Sequence, residues 1–315
     1  MTNDLINKSR LFVAVLGTVV VIYCVIVLGY VGTTPDLGLR GLLSDRGDMS
    51  APQGMLIRAV VELDAEGVAP RSGDVLVNVR DKPIRSFQDF AYSLQALRNA
   101  PIDSGGRLAN RSDMADDSAG LLPALVETDD GSRFVRVEFQ RAGKRDVVRT
   151  RLQVKSLPLG EVLLSFVWLT LQFLIFAVGA LAAWHRPFDR VALRFFTMCA
   201  VTMVAFIGGF HWWVLAGSLV LTAPFLVSAV FVPAVSLHFF LCYPRQLELL
   251  TKYPRNTLAV IYSVPLVAMV VMLSLSIFSR VLTSPFMSET AIEWVQGSLM
   301  LLRGAIYSYL VFAAG

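Results

Sequence analysis

Long apolar segments make up most of the chain, and only residues 33–156 have the mixed polar composition of a soluble domain. A helix needs about 20 apolar residues to cross the ~30 Å hydrocarbon core of a bilayer. Six segments reach that length, at about 11–31, 159–184, 191–210, 213–242, 257–278 and 294–315. The pattern predicts an α-helical polytopic membrane protein of about six transmembrane helices with one inserted soluble domain.

The first apolar segment, residues 11–31, follows a short polar N-terminus, residues 1–10. It is longer than the 7–15-residue apolar core of a signal peptide, and no A-x-A-like cleavage site follows it. We therefore interpret it as a retained transmembrane signal anchor, with a cleaved signal peptide as the alternative. The last five segments form a predicted helical bundle over residues 159–315.

Lysine and arginine residues alternate between the two sides of the predicted bundle. They lie before the first segment and in the loops after the second and fourth: Lys8, Arg10, Arg186, Arg190, Arg194, Arg245, Lys252 and Arg255. The loop after the third segment has none, and the loop after the fifth has only Arg280. Since short cytoplasmic loops are enriched in basic residues, we predict a cytoplasmic N-terminus and an extracytoplasmic domain at 33–156. Arg151 and Lys155 oppose this orientation, but long translocated domains are largely exempt from the rule.

Composition narrows the class further. The chain is 55% hydrophobic and 17% charged, whereas soluble domains average about 25% charged residues. The net charge is +4, and the basic residues are not clustered, which argues against a nucleic-acid partner. Membrane lipid is therefore the predicted partner of the apolar segments. All three cysteines lie in or at the ends of apolar segments, so the soluble domain has no disulfide framework.

Within the soluble segment, residues 50–155 predict a small α+β domain. Strands are predicted at 53–61, 75–79, 134–139 and 147–154. Ser86 is a plausible N-cap for a helix at 87–99, in which Phe90, Leu94 and Leu97 repeat at helical spacing. The polar stretch 100–131 is rich in Gly, Asp and Ser and is predicted as a long inserted loop.

These residues resemble a PDZ domain of the circularly permuted bacterial type over about 50–155. The resemblance is carried by the stretch S-G-D-V-L-V-N-V at 72–79, by K-P-I at 82–84, by the helix containing Leu94, and by R-A-G at 141–143. Two features depart from the family: Asp81–Lys82 stands where a glycine is usual, and 100–131 is an insertion.

The resemblance implies a peptide site in which an extended segment adds to a strand edge beside the helix. Backbone N–H groups of the preceding loop would hold a terminal carboxylate. The implied carboxylate loop is Gln53, Gly54 and Met55, the strand edge is Leu56 and Ile57, and the helix wall is Phe90, Leu94 and Leu97. Two alternatives stay open: the three helix residues are only core, or the groove only packs against neighbouring protein.

Four polar residues in the apolar segments are candidates for intramembrane roles. A charge deep in a span costs ~2.5–3.5 kcal/mol on insertion scales, so Arg303 is expected to face protein or water. Glu161 and Gln172 are its candidate partners, and either a structural pair, a snorkelling arginine or a signalling role fits it. His238 lies near the predicted cytoplasmic end of the fourth segment. A metal site needs three or four ligands and the chain has only three histidines, so no metal is predicted.

The sequence contains no catalytic motif that we recognise. It has no H-E-x-x-H zinc motif, no G-x-S-x-G nucleophile elbow, no P-loop and no G-x-G-x-x-G. We therefore predict that these 315 residues are not themselves an enzyme and need no cofactor.

The order of parts and one short stretch suggest a signalling role. An anchor, an exported domain and a multi-span bundle, together with H-F-F-L-C-Y-P at 238–244, resemble the sensory half of bacterial sensor histidine kinases of the competence-pheromone receptor type. The resemblance implies a bacterial inner-membrane receptor for an extracytoplasmic peptide or protein. By the same resemblance, two copies of the chain would form a homodimer. The last segment ends at Gly315 without a basic anchor. Either the protein ends in the bilayer or, as we expect, a cytoplasmic effector region such as a histidine kinase has been cut off. The alternatives are a scaffold or chaperone for exported proteins, or a partner of a membrane protease, and a transporter or transport accessory.

Overall fold

The computed structural model describes residues 2–41, 54–85, 87–98, 100–102, 107–108, 123–144, 146–157, 159–244 and 246–281. Its helices are α1 Thr2–Gly32, α2 Phe87–Arg98, α3 Leu159–His185, α4 Arg190–Phe210, α5 Trp212–Leu215, α6 Leu219–Phe240, α7 Glu248–Lys252 and α8 Pro254–Val281. The chain forms two compact units. The helical unit contains the chain up to Val27, Ser165–Trp212 and the chain from Leu219, and the soluble unit contains Leu28–Leu164 and Trp213–Ser218.

Within the described ranges, five helical stretches are long and apolar enough to cross a membrane. They are Ile6–Gly32, Ser165–His185, Arg190–Phe210, Leu219–Phe240 and Pro254–Val271. Large apolar side chains remain exposed along α3, among them Val167, Leu171, Leu174 and Val178. Since a water-soluble helix would bury such a surface, these helices fit a lipid environment. The predicted helical membrane protein is confirmed at this level; the sixth predicted span, 294–315, lies outside the described residues.

Small residues allow close packing between helices of this unit. Gly208 of α4 lies against the side chain of Phe225 in α6, so closely that even a β-carbon at position 208 would overlap it. Gly179 of α3 also packs closely against α4, where its β-carbon would lie 3.1 Å from the Cys199 sulfur. A side-chain bond joins α1 to α6, since the Tyr23 hydroxyl donates to the Leu221 carbonyl at 2.9 Å. Gly and other small residues commonly have this role where helices meet in a bilayer.

The soluble unit is built on an antiparallel sheet. Its strands are β1 Pro35–Asp36, β2 Leu39–Arg40, β3 Met55–Leu56, β4 Ala59–Val60, β5 Ala65–Glu66, β6 Val75–Val79, β7 Lys82–Pro83, β8 Arg107–Leu108, β9 Leu125–Thr128, β10 Arg133–Gln140 and β11 Val147–Ser156. The main path runs β1-β11-β10-β6-β3, with β5 on β11, β7 on β6, β9 on β10 and β8 parallel to β9. Strands β2 and β4 form a separate pair.

The hairpin β10–β11 is the centre of the sheet and pairs residues 133–140 with 154–147 in register. Val135, Val137 and Phe139 on one face of β10 are fully buried together with Leu152 of β11, and Phe134 on the other face is buried as well. A bulge at Glu138/Phe139 shifts the register of β10 against β6. From Val135 to Gln140, buried and partly exposed positions alternate along β10, which is the period of two that the sequence shows.

Two segments differ from their predicted form. The stretch 100–131, predicted as a loop, contains β8 and β9, because Leu125 and Val126 are apolar and are buried against β10. The strand predicted over 53–61 is divided into β3 and β4, which pair with β6 and β2 respectively. The chain changes partner between them, so a single continuous strand does not form.

Candidate functional site

The strand side of the predicted groove is formed by β3 at the end of the main sheet path. Met55 pairs with Leu76 of β6, and Met55 and Ile57 are buried while Leu56 is partly exposed. Ile57 continues the contact with its N–H donating to the Asp74 carbonyl at 2.8 Å. Gln53, the first residue of the implied carboxylate loop, lies outside the described residues.

Gly54 approaches β6 more closely than any other residue type could. A β-carbon at position 54 would lie 2.5 Å from the Leu76 carbonyl oxygen and from Val75 Cγ1. The small size of Gly54 therefore has a packing reason, and its implied role in holding a carboxylate stays a prediction.

The helix side of the predicted groove is closed in this structure. Phe90, Leu94 and Leu97 are between 1% and 3% exposed, as buried as the central strands. The structure places these three side chains with the buried core of the soluble unit. Their role in peptide binding stays a prediction, and a peptide could reach them only after this packing opened.

Another segment of the same chain, residues 38–41, lies next to Met55 of β3 and to the residues that follow β3. Arg58 N–H donates to the Arg40 carbonyl and Val61 N–H to the Gly38 carbonyl, both at 2.8 Å, so 38–41 runs alongside 58–61. A β-carbon on Gly41 would meet the sulfur of Met55 at 2.7 Å. Addition of a peptide strand requires an accessible edge. The segment entering at Gly41 limits that edge at Met55.

The S-G-D motif that carried the family resemblance forms a turn. Asp74 is 3% exposed, and its carboxylate accepts the Arg71 N–H at 2.8 Å and the Ala142 N–H at 3.3 Å. Gly73, with φ of 95°, donates its N–H to the Ile57 carbonyl. The motif thereby joins β3, the entrance of β6 and the R-A-G turn.

The departure from the family at Asp81 is also explained by backbone geometry. Arg80 and Asp81 both have positive φ, 52° and 78°. Aspartate tolerates this left-handed conformation better than most residues. The Asp81 carboxylate forms an ion pair with Arg136 at 2.5 Å, which holds the turn against β10.

Sequence reasoning missed a segment of the soluble unit, residues 213–218, which we call the α4–α6 connection. It was predicted as the beginning of a span, but α6 begins only at Leu219. Val214 and Leu215 are buried, and the Arg40 guanidinium lies 4.4 Å from the centre of the Trp213 ring. The same guanidinium forms two 2.8 Å bonds to the Asp36 carboxylate.

The grouping of the α4–α6 connection with Leu28–Leu164 bears on topology. If every apolar helix crosses the membrane, the loop after the third span emerges on the same side as the loop after the first. The structure puts these two loops in one unit. The four apolar residues of α5, Trp212–Leu215, could have suggested a loop that is buried in protein. By hydropathy alone, however, they cannot be distinguished from the beginning of a membrane span.

In the helical unit, polar side chains also make contacts with each other. His238 Nδ1 and the Tyr262 hydroxyl are 3.0 Å apart and link α6 to α8. Arg194 of α4 donates to the sulfur of Cys242 at 2.7 Å. Gln172 is partly exposed in α3. The side chain of Glu161 and all of Arg303 lie outside the described part, so their predicted contacts stay predictions.

His211, directly after α4, is the buried titratable group at the end of that helix. It is 4% exposed, lies 5.1 Å from the Phe210 ring, and its Nε2 has no hydrogen-bond partner among the described residues. Burial lowers the pKa of His211 to about 4, because the charged ring would lose its hydration. In the soluble unit, the Thr128 hydroxyl and then the Ser132 N–H donate to Asp130 and lower its pKa.

The described ranges contain no candidate metal site, because no three His, Cys, Asp or Glu side chains come together there. Comparison with known proteins adds no relative: no family model, curated protein or solved structure matches this chain. Function is therefore inferred from the residues of this chain alone.

Proposed function

We propose that this protein is a membrane signal-receptor module that binds a peptide or protein outside the cell and transmits binding to a cytoplasmic effector. The observation that supports it best is the packing of the α4–α6 connection, Trp213–Ser218, within the soluble unit. A ligand-dependent shift of the soluble unit would thereby act on a covalent connection between two spanning helices. A histidine kinase region is the effector class that the family resemblance suggests.

The order of elements supports a PDZ-like soluble domain. The Asp74 turn leads into β6, a tight turn leads to β7, α2 follows, and the β10–β11 hairpin completes the sheet. This is the arrangement expected for the residues that carried the resemblance. A peptide site at β3 and α2 is part of the proposal and requires α2 to move, because its inner side chains are buried.

The proposed localisation is the bacterial inner membrane, with a cytoplasmic N-terminus and residues 33–156 outside. Single cysteines at Val147, which is 51% exposed, and at Tyr253, which is 54% exposed, can report the two sides. In intact spheroplasts a membrane-impermeant thiol reagent should label Val147→Cys and spare Tyr253→Cys. The opposite pattern would reverse the topology and remove the proposal.

Transmission requires at least two packings of the helices whose populations the ligand changes. We would present the full chain, in lipid nanodiscs, with a library of peptides that end in a free carboxylate, and with the same peptides amidated. The proposal expects saturable binding of some free-carboxylate peptides and a changed thiol modification rate at Tyr253→Cys on binding. Binding without change at position 253 would favour a scaffold, and absence of any saturable binding would contradict a peptide receptor.

A further inference from the structure

The helix that closes the predicted groove, α2, is held in place by other segments as well as by its own buried face. Phe90, Leu94 and Leu97 form that face and are between 1% and 3% exposed. A helix of 12 residues is only marginally stable by itself in water, so its position depends on the segments that pack against it. Several of these segments lead into membrane helices.

The first contact joins the C-terminal end of α2 to the end of α1. The guanidinium carbon of Arg98 lies 5.5 Å from the centre of the Tyr30 ring. A cation at this distance is attracted by the negative face of an aromatic ring. Tyr30 belongs to the last turn of α1, so this contact connects α2 to a membrane helix.

The second contact places α2 against the α4–α6 connection. A β-carbon at Gly217 would lie 3.2 Å from the Ala91 carbonyl oxygen and 3.3 Å from Gln95 Oε1. Positions 91 and 95 are neighbours on the surface of a helix, so both atoms belong to one stretch of α2. The glycine at position 217 therefore lets the connection lie directly on the α2 backbone.

A third neighbour of α2 is β1, which follows α1 in the chain. Pro35 of β1 pairs with Ser156 at the end of β11, and α3 begins soon afterwards at Leu159. Helix α2 therefore touches segments that lead into α1, α3, α4 and α6. A movement of α2 away from the sheet must change its contacts with these segments.

The same helix forms one wall of the predicted peptide groove. A peptide can lie between β3 and α2 only when the buried side chains of α2 move away from the sheet. That movement displaces α2 from Tyr30 and Gly217. Peptide binding and these two contacts then oppose each other, and by linkage the effect is reciprocal.

We propose that the contacts of α2 with Tyr30 and Gly217 hold the predicted groove closed, and that opening of the groove changes the end of α1 and the α4–α6 connection. This inference rests on the proposed receptor function and describes how its peptide site is regulated. The closed groove is the resting state, and release of α2 is the step that carries peptide binding to the membrane helices.

Opening of α2 can be measured in the full chain without a ligand. In lipid nanodiscs and a background lacking the native cysteines, Leu94→Cys reports the inner face of α2, and Leu152→Cys reports the β10–β11 hairpin, where Leu152 is 0% exposed. A thiol reagent reaches either position only after opening, so each modification rate measures an opening equilibrium. Arg98→Gln should raise the rate at Leu94→Cys about two- to fivefold and leave the rate at Leu152→Cys unchanged.

Three further variants assign this effect to the contact with α1. Arg98→Lys keeps a cation beside the ring and should keep most of the protection. Tyr30→Leu should act like Arg98→Gln, and the double variant should add little, since both changes remove the same contact. Arg85→Gln, at an exposed position just before α2, makes the same change of charge and should not raise the rate at Leu94→Cys.

The link to the connection is read at Trp213. In protein labelled with 5-fluorotryptophan, Trp213→Phe assigns its ¹⁹F resonance among those of the five tryptophans. A bulky thiol reagent attached to Leu94→Cys keeps α2 from closing and should shift this resonance. The same reagent on Val147→Cys, which is exposed in the same unit, should leave the resonance in place. Gly217→Ala, which presses on the Ala91 carbonyl, should raise the rate at Leu94→Cys.

Two results would overturn the inference. Unchanged protection of Leu94→Cys in Arg98→Gln and Gly217→Ala, or equal acceleration at positions 94 and 152, would show that these contacts do not hold α2 closed. An unmoved Trp213 resonance after modification at position 94 would exclude the link to the connection. Peptide binding and the response at Tyr253→Cys are measured separately. The receptor proposal can therefore fail while α2 is held closed, and the reverse result is equally visible.

Discussion

The contact between Gly208 and Phe225 makes a quantitative prediction for the helical unit. A methyl group at position 208 would lie 2.5 Å from Phe225 Cβ and 2.6 Å from its Cγ and Cδ2. Carbon atoms in favourable contact are about 3.5–4.0 Å apart, so the overlap is roughly 1 Å. Since one of the overlapping atoms is a β-carbon, rotation of the phenylalanine side chain does not relieve it. We expect the overlap by itself to cost Gly208→Ala about 1–3 kcal/mol of unfolding free energy, the usual cost of overpacking.

The neighbouring Gly209 provides a matched control. A β-carbon there would lie 3.5 Å from Phe225 Cε2, an ordinary van der Waals contact. Gly209→Ala adds the same methyl group to the same helix and changes helix propensity by the same ~1 kcal/mol in favour of alanine. The difference between the two variants therefore isolates the overlap with α6.

Both variants are compared by titration of the full chain in mixed micelles with dodecyl sulfate, followed by tryptophan fluorescence. Gly208→Ala should unfold at a lower detergent fraction than Gly209→Ala. The double variant Gly208→Ala with Phe225→Ala should recover part of the loss, as a double-mutant cycle requires of a direct contact. Equal stability of the two single variants would show that α4 and α6 do not meet at Gly208, which would refute this packing.

Three further predictions concern single residues. Gly54→Ala should lower the free energy of unfolding of the soluble unit by ~1–3 kcal/mol, since its β-carbon would meet the Leu76 carbonyl at 2.5 Å; limited proteolysis measures it. The pKa of His211 is about 4 in the folded protein and about 6.5 in the unfolded chain. The free energy of unfolding should therefore fall as the pH drops from 6.5 towards 4, by at most ~3 kcal/mol, and detergent titrations at several pH values measure this loss. Arg40→Met should leave the carboxylate of Asp36, which is 2% exposed, without its guanidinium and destabilise the unit by ~3–5 kcal/mol in thermal unfolding.

Each of these predictions has its own control. Gly32→Ala, where a β-carbon meets nothing within 4 Å, should leave proteolysis unchanged, and equal effects at 32 and 54 would argue against the β3–β6 contact. His211→Gln should flatten the pH dependence, and an unchanged profile would assign it to other groups. Arg40→Lys should lose less stability than Arg40→Met, and a harmless Arg40→Met would mean that Asp36 is satisfied elsewhere.

Much of the architecture was accessible from local patterns. The predicted helix at 87–99 is α2, Phe87–Arg98, because Phe90, Leu94 and Leu97 repeat at the spacing of one helix face. The β10–β11 hairpin was visible in alternating residues around a turn, and five spans were visible in their length and apolarity. Each of these features depends on interactions between residues close in sequence.

The candidate site was less accessible. That Leu94 and its neighbours would be buried, and that Gly41 would lie on Met55, depends on segments distant in the chain. Strand β9 could not be recognised within the polar stretch 100–131. Its residues Leu125 and Val126 are buried only because β9 pairs with β10, and that pairing is not visible in the local sequence.

The sequence by itself determined that the chain is a helical membrane protein with an inserted domain, since hydrophobicity and its period are local properties of the chain. Tertiary structure alone decided that Val214 and Leu215 belong to the soluble unit and that Trp213 meets Arg40. The physical reason is that an apolar side chain leaves water equally well into lipid or into protein. Which of the two receives it depends on partners that come together only on folding.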